Sequence, residues 1–161
     1  MQREIYLCIG GNIGERDANL EETLDFINFN LGDIKQVSSV YESEPWGMID
    51  VPNFLNQVVL VESQLTNEEL LQEIYELEEF YGRERGTEGY VSREMDIDVL
   101  FVGNEVIATE KLQVPHPRMQ ERRFVLEPMA EMAAEFIHPV LQLSIAEILK
   151  ECKDQGKVSR V

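Results

Sequence analysis

A chain of 161 residues with 43% hydrophobic content and ordinary Gly and Pro is long enough to bury a full core, and it is expected to fold as one domain over residues 1–161. Its net charge of −17 argues against nucleic acid or an anionic membrane as partner, since both need a basic surface. Cys8, Cys152, His116 and His138 form no C-x-x-C or H-x-x-x-H spacing, which argues against structural zinc and a disulfide framework.

The N-terminal stretch MQREIYLCIGG passes from charge into an apolar run too short for a signal peptide core or a membrane span, so the expected location is the cytoplasm. Residues 4–9 read as a strand, and the GGNIG that follows reads as a tight strand-to-helix turn or as a place where a ligand approaches the backbone. It is neither a complete G-x-G-x-x-G nor G-x-x-x-x-G-K-[ST]. Residues 17–31 predict a helix with Leu20, Leu24, Ile27 and Leu31 on one face and Gly32 behind it. IKQVSSVYE (34–42) and FLNQVVLVE (54–62) predict neighbouring strands joined by the loop SEPWGMIDVPN. Within that loop Trp46 is either a plug over the core edge or part of a lid. Thr66 and Glu69 form a capping box for a helix bearing Leu70, Leu71, Ile74 and Leu77 and closed by Gly82.

The polar loop RERGTEGYVSR leads into SREMDIDVLF (92–101), where alternation puts Asp96, Asp98 and Leu100 on one face of a strand and Ile97, Val99 and Phe101 on the other. Two carboxylates at i and i+2 stand roughly 6–7 Å apart at their Cα atoms and repel if both are ionised and poorly solvated. Either the strand shows a solvated acidic face, or a cation lies between them. The run Val99-Leu100-Phe101-Val102, apolar on both faces, favours a central strand whose polar end opens into a cleft. A turn at Gly103 and Asn104 and a return strand EVIA follow, then helices around 123–134 and, behind a Ser144/Glu147 capping box, 145–152. The order β-α-β-β-α-β predicts an α+β fold: a ferredoxin-like split βαβ sheet with an added hairpin and flanking helices, in three α/β/α layers.

Charge is unevenly spread. Residues 17–82 hold 15 acids and one base, Lys35, whereas residues 83–123 hold seven of the 14 Lys and Arg. That basic segment contains the paired aspartates, the combination a polyphosphate with bound divalent metal requires. In PHPRMQERRF (115–124) two prolines fix the backbone around His116 and three arginines follow, which suits phosphate oxygens or, as the plainer alternative, a solvated turn before a helix. Phe54 and Phe124 are core residues or flat rings beside a ligand. Asn56, on the strand face of Phe54, carries donors and an acceptor suited to the edge of a heterocycle.

Taken together, IGGN, YESEPWG, FLNQVV, ELEEFYGRER, SREMDIDVLF and VPHPRMQERRF resemble, in order and spacing, the 6-hydroxymethyl-7,8-dihydropterin pyrophosphokinases of folate biosynthesis. The resemblance runs from about residue 4 to about residue 140, and R-x-x-D-[LIV]-D-[LIVM]-[LIVM] is its most specific segment. It implies an enzyme that moves the β,γ-diphosphate of ATP as a unit onto the pterin hydroxymethyl group and releases AMP. It assigns two Mg²⁺ ions to Asp96 and Asp98 and places Arg83 and Arg93 over the reacting phosphates. A pterin site is implied at Gly10, Ser43, Pro45, Trp46, Phe54, Asn56 and Phe124, with the two Phe rings sandwiching the pterin and Asn56 on its edge. ATP contacts are implied for Glu78, Arg85, Tyr90, Arg93, Lys111, His116 and Arg122. The partners would be ATP and the pterin alone, and the enzyme a monomer.

The chain departs from the family pattern at Val91 and Ser92 before the motif arginine, at Tyr90 where many members carry Trp, at Pro117 where some carry Tyr, and at Tyr75 where Gln is frequent. These touch loop closure and individual ATP contacts rather than the aspartate pair. Two other classes share the residue pattern: a palm-like nucleotidyl transferase or cyclase, and a non-enzymatic module that binds a small anion. An RNA-binding sheet is disfavoured by charge and by the absence of its aromatic spacing.

Overall fold

The computed structural model describes residues 2–45, 51–82 and 94–161. Strand β1 (Arg3–Gly11) and helix α1 (Arg16–Asn30) are followed by β2 (Asp33–Val37), β3 (Tyr41–Ser43) and β4 (Phe54–Ser63). Helix α2 (Asn67–Phe80) begins at the expected capping box: the Thr66 hydroxyl accepts from the Glu69 backbone N–H, and the Glu69 carboxylate accepts from that of Thr66. Strand β5 (Asp96–Val102) carries the aspartates, and β6 (Ile107–Ala108) and β7 (Gln113–Val114) make a separate ribbon. Helices α3 (Arg123–Ala133) and α4 (Ile145–Glu151) and a last strand β8 (Val158–Arg160) complete the chain.

The main sheet runs β5-β1-β4-β3-β8, with β2 also paired to β4, and every pairing is antiparallel. That order, with β1 and β4 central, is the split βαβ arrangement the element order predicts. Odd-numbered residues of β1 and β4, among them Ile5, Leu7, Ile9, Val59 and Val61, pack with Leu20 and Ile27 of α1 and Leu70, Ile74 and Leu77 of α2. On the opposite face Cys8 and Val58 pack with Val125, Leu126 and Met129 of α3 and Ile145 and Ile148 of α4. Helices therefore cover both faces of the sheet.

Four sequence expectations are corrected by the structure. Strand β5, expected to be central, is at the edge of the sheet and pairs with β1 on one side, although the helices on both faces still bury its apolar end. Phe101 joins Leu100 on the α3/α4 face instead of following Val99 to the other, because the β1–β5 register shifts between Tyr6 and Leu7 and leaves Leu100 as an extra residue. The single run 34–42 is two strands. Ser38 interrupts it by using its hydroxyl to accept from the Val58 N–H at 2.9 Å while its carbonyl accepts from the Gln57 side chain at 2.8 Å. Finally, the residues of EVIA do not return along β5, since Ile107 and Ala108 pair instead with Val114 and Gln113.

Between α3 and α4 the turn is organised by His138, which is buried, packs edge-on against the Phe101 ring and accepts at Nδ1 from the Val140 and Leu141 N–H groups at 3.2 and 3.0 Å. Burial holds its pKa below the ordinary histidine value of 6.5. Above that value both folded and unfolded chains carry a neutral ring. Below it the unfolded chain takes up the proton first, so stability is full above pH 6.5 and falls as the pH drops towards the lower folded value. Urea midpoints measured from pH 7.5 to 5 are expected to decline for the wild type and to decline less for His138→Asn, which keeps an acceptor but no titratable ring.

Candidate active site

At one end of the sheet β1 stands between the two halves of the site. Gly10 lies opposite Asp96 of β5 on one side and opposite Asn56 of β4 on the other. The approach is so close that a Cβ on Gly10 would collide with the Asn56 side-chain amide and the Leu55 carbonyl, so the residue must be glycine for a packing reason. Two residues back, Cys8 lies opposite Asp98. Burial, and then the charges of Asp98 and Asp96, push the Cys8 thiol far up, which keeps it a protonated packing group.

Asp98 is the meeting point of the polar residues. One carboxylate oxygen lies 3.8 Å from the Arg122 guanidinium and the other 3.9 Å from His116 Nε2. The His116 backbone N–H donates to the Leu100 carbonyl at 3.0 Å, which docks the PHP segment along β5. Its Nδ1 accepts from the Arg118 N–H at 3.2 Å, leaving the hydrogen on Nε2, the side towards Asp98. Burial first, and then Arg122, lower the His116 pKa to about 4. The ring is therefore neutral at pH 7, and despite its ion-pair distance its approach to Asp98 is a polar contact between a neutral donor and a carboxylate.

On the outer side of β5 Glu78, buried near the end of α2, accepts from the Ile97 N–H at 3.0 Å and ties the helix to the acidic strand. A cavity of about 220 Å³ lies beside it between α2, β5 and residues 111–117. Glu78, Lys111 and His116, expected as ATP contacts, line it together with Asp98, and so does Tyr75, one of the departures.

On the other side of Gly10, Ser43 lies opposite Phe54 and Tyr41 opposite Asn56. Asn56 is buried, and its side-chain carbonyl has no hydrogen-bond partner, an unmet acceptor on the face where a heterocycle edge is expected. Helix α3 packs over β3 and β4 on this face, bringing Phe124 from its first turn, with the Arg122 guanidinium 5.8 Å from the Phe124 ring centroid. Pro45 follows β3 at the margin of the described chain. Trp46, Arg83, Arg85, Tyr90, Val91, Ser92 and Arg93 lie outside the described residues.

Among the described residues no three His, Cys, Asp or Glu side chains gather as a metal cluster. Mg²⁺ suits the aspartate pair nonetheless, because it takes hard oxygen donors and commonly uses one or two carboxylates with substrate phosphates and water completing the octahedron.

The description "7,8-dihydro-6-hydroxymethylpterin-pyrophosphokinase (HPPK)" belongs to the family model that matches residues 6–134. The chain is a member of the HPPK family. A 2-amino-4-hydroxy-6-hydroxymethyldihydropteridine pyrophosphokinase of Aquifex aeolicus is 35% identical over 147 residues, covering 91% of each chain. Its Bacillus subtilis namesake is 38% identical over 136 residues, covering 84% of this chain and 81% of that one. Among solved structures, an HPPK-DHPS triple mutant of Plasmodium falciparum superposes with a TM-score of 0.76 at 17% identity, over 94% of this chain and 43% of that one, and shows the shared fold. This HPPK chain thus spans less than half of that longer protein.

Some residues around the site were not legible as such in the sequence. The Asn12 amide donates to the Pro52 carbonyl at 3.0 Å, and Arg16 donates to the Asn53 carbonyl at 2.8 Å while pairing with Glu42 at 3.0 Å. Together they fix the backbone just before Phe54. The only local signal was a polar pair beside the glycine turn, and its partners are 26 to 40 residues away.

Proposed function

We propose that this chain transfers the terminal diphosphate of ATP to the hydroxymethyl oxygen of 6-hydroxymethyl-7,8-dihydropterin and releases AMP, a step of folate biosynthesis. Family membership supports the reaction. One structural observation carries it to the residues: the register of β1, which sets Gly10 between Asp96 and Asn56 and so joins a phosphate-and-metal side to a heterocycle side across one strand.

In this reading ATP enters the cavity beside Glu78, Lys111 and His116, with its phosphates turned towards Asp98 and Arg122. Neutral His116 donates from Nε2 to a phosphate oxygen and adds no charge. The pterin lies between Phe54 and Phe124, and the unmet Asn56 carbonyl accepts from an N–H on its edge. Arg83 and Arg93 meet the phosphates that react, Arg85 and Tyr90 complete the ATP side, and Gly10, Ser43, Pro45 and Trp46 complete the pterin side. Asp96 and Asp98 would hold two Mg²⁺ ions, which neutralise the triphosphate and stabilise the displaced AMP oxygen. The attacking oxygen forms its bond to the β-phosphorus as the bond from that phosphorus to the α-phosphate oxygen breaks. The hydroxyl proton leaves to solvent or a nearby carboxylate. The enzyme acts as a single-domain monomer in the cytoplasm.

Incubation of the protein with ATP, Mg²⁺ and the hydroxymethyl pterin is expected to yield AMP and pterin diphosphate in equal amounts, and EDTA is expected to stop it. Release of inorganic pyrophosphate with a nucleotide adduct or a cyclic nucleotide would identify a palm-like transferase instead. Ligand binding without turnover would identify an anion-binding module.

A further inference from the structure

The family match ends at residue 134, yet the segment beyond α4 comes back to both walls of the pterin slot. Helix α3 begins without a side-chain cap from its own N-cap residue, Arg122. The Asp154 carboxylate takes that place from 31 residues away, with Oδ2 accepting from the Arg123 N–H at 3.0 Å. Its Oδ1 accepts from the Gly156 N–H at 2.8 Å, and its backbone carbonyl accepts from the Arg123 side chain at 3.0 Å. The capped turn is the one that carries Phe124.

Further along the same segment, β8 pairs with β3, setting Arg160 opposite Tyr41 and Val158 opposite Ser43. The Arg160 guanidinium lies 3.4 Å from the Tyr41 hydroxyl and 3.6 Å from the Glu131 carboxylate of α3. Glu131 in turn accepts from the Tyr41 hydroxyl at 2.7 Å and from the Ser39 hydroxyl at 2.9 Å. One wall of the slot is the start of α3, and the other is the β3–β4 edge with Ser43 and Phe54. Asp154 fastens the first, and Arg160 bridges the second to α3.

We propose that Asp154 and Arg160 are positioning residues that set the spacing between the Phe124 wall and the Ser43–Phe54 wall, and so tune affinity for the pterin and not for ATP. The inference rests on the pterin reading given above. Its physical basis is that a stacked heterocycle needs its two faces at van der Waals distance, so a small displacement of either wall is felt in binding. The cavity given to ATP is lined by α2, β5 and residues 111–117, which the segment does not touch in any of these contacts, and Arg122, next to the capped turn, keeps its own contact with Asp98 at 3.8 Å.

The test compares wild type with Asp154→Ala, Asp154→Asn and Arg160→Ala, each assayed well below its own melting midpoint. KM for pterin, KM for ATP and kcat are measured, together with pterin Kd by calorimetry in the presence of a non-hydrolysable ATP analogue and Mg²⁺. Asp154→Ala and Arg160→Ala are expected to raise pterin KM and Kd by about three- to tenfold while KM for ATP and kcat stay within about twofold. Asp154→Asn, which keeps an acceptor for Arg123, is expected to recover most of that loss. A lowered melting midpoint with unchanged pterin constants, or equal rises in both KM values, would overturn the proposal by reducing the segment to general stability. If Asp154→Ala does not fold, Asp154→Asn and Arg160→Ala decide by the same criteria. A wild type that makes no pterin diphosphate refutes the function itself, whereas turnover by wild type with unshifted variants refutes only the positioning role.

Discussion

Asp98→Asn is expected to lower kcat by at least about a thousandfold with the fold unchanged, since it removes a charge proposed to hold metal and keeps the shape of the side chain. Asp98 is where the phosphate side converges: Arg122 and His116 approach its two oxygens, and it lines the cavity assigned to ATP. The loss should therefore appear in kcat and in the Mg²⁺ concentration needed for half-maximal rate, more than in pterin affinity. Folding should tolerate the change. The Asp98 side chain is 29% exposed, which weakens its attraction to Arg122, and removing one of two neighbouring carboxylates relieves repulsion. Asp96→Asn is expected to follow the same pattern. Near-wild-type turnover by either variant at ordinary Mg²⁺ would show that the pair does not hold the reacting metals.

Gly10→Ala is expected to damage both halves of the site at once and to cost about 1–3 kcal/mol of stability through overpacking. The added methyl meets two obstacles of different stiffness. The Asn56 amide can swing away, which withdraws the acceptor proposed for the pterin, whereas the Leu55 carbonyl is backbone and yields only if β1 and β4 separate. Pterin affinity should fall by more than about tenfold, a loss comparable to deleting a buried hydrogen-bonding group. A double-mutant cycle with Asn56→Ala checks the route, because clearing the amide should make the two losses less than additive in urea denaturation. Strict additivity would mean that the methyl is accommodated without disturbing Asn56.

Much of the candidate site could be proposed from the sequence because its residues announce themselves locally. Asp96 and Asp98 are fixed to one face by strand alternation, and the Thr66 and Ser144 boxes mark helix starts by their own side chains. The split βαβ sheet, in which β1 pairs with both β4 and β5, followed from element order. What escaped depends on distant partners. Ser38 breaks a plausible strand only because Val58 and Gln57 stand ready to bond it, and nothing within 34–42 carries that information. Strand β8 is three residues long, and its partner β3 lies more than a hundred residues upstream. Asp154 looks like any surface acid until α3 is seen to start beneath it. The ribbon of β6 and β7 escaped for another reason: a turn signal at Gly103 predicts a reversal but not which strand the chain will meet afterwards.

The extra residue in β5 acts as a phase correction between two incompatible counts. If Val102 stayed opposite Ile5 and the ladder ran without interruption, Val99 would fall opposite Cys8 and Asp98 opposite Ile9, turning the aspartates into the apolar layer beneath α1 and α2. The observed shift lets Phe101 and Leu100 both feed the opposite core while Asp98 and Asp96 keep their places across from Cys8 and Gly10. Strand β5 therefore obeys one parity where it is anchored and another where it carries the carboxylates. The length of chain between Asp98 and Val102 is as much a part of the site as the carboxylates themselves.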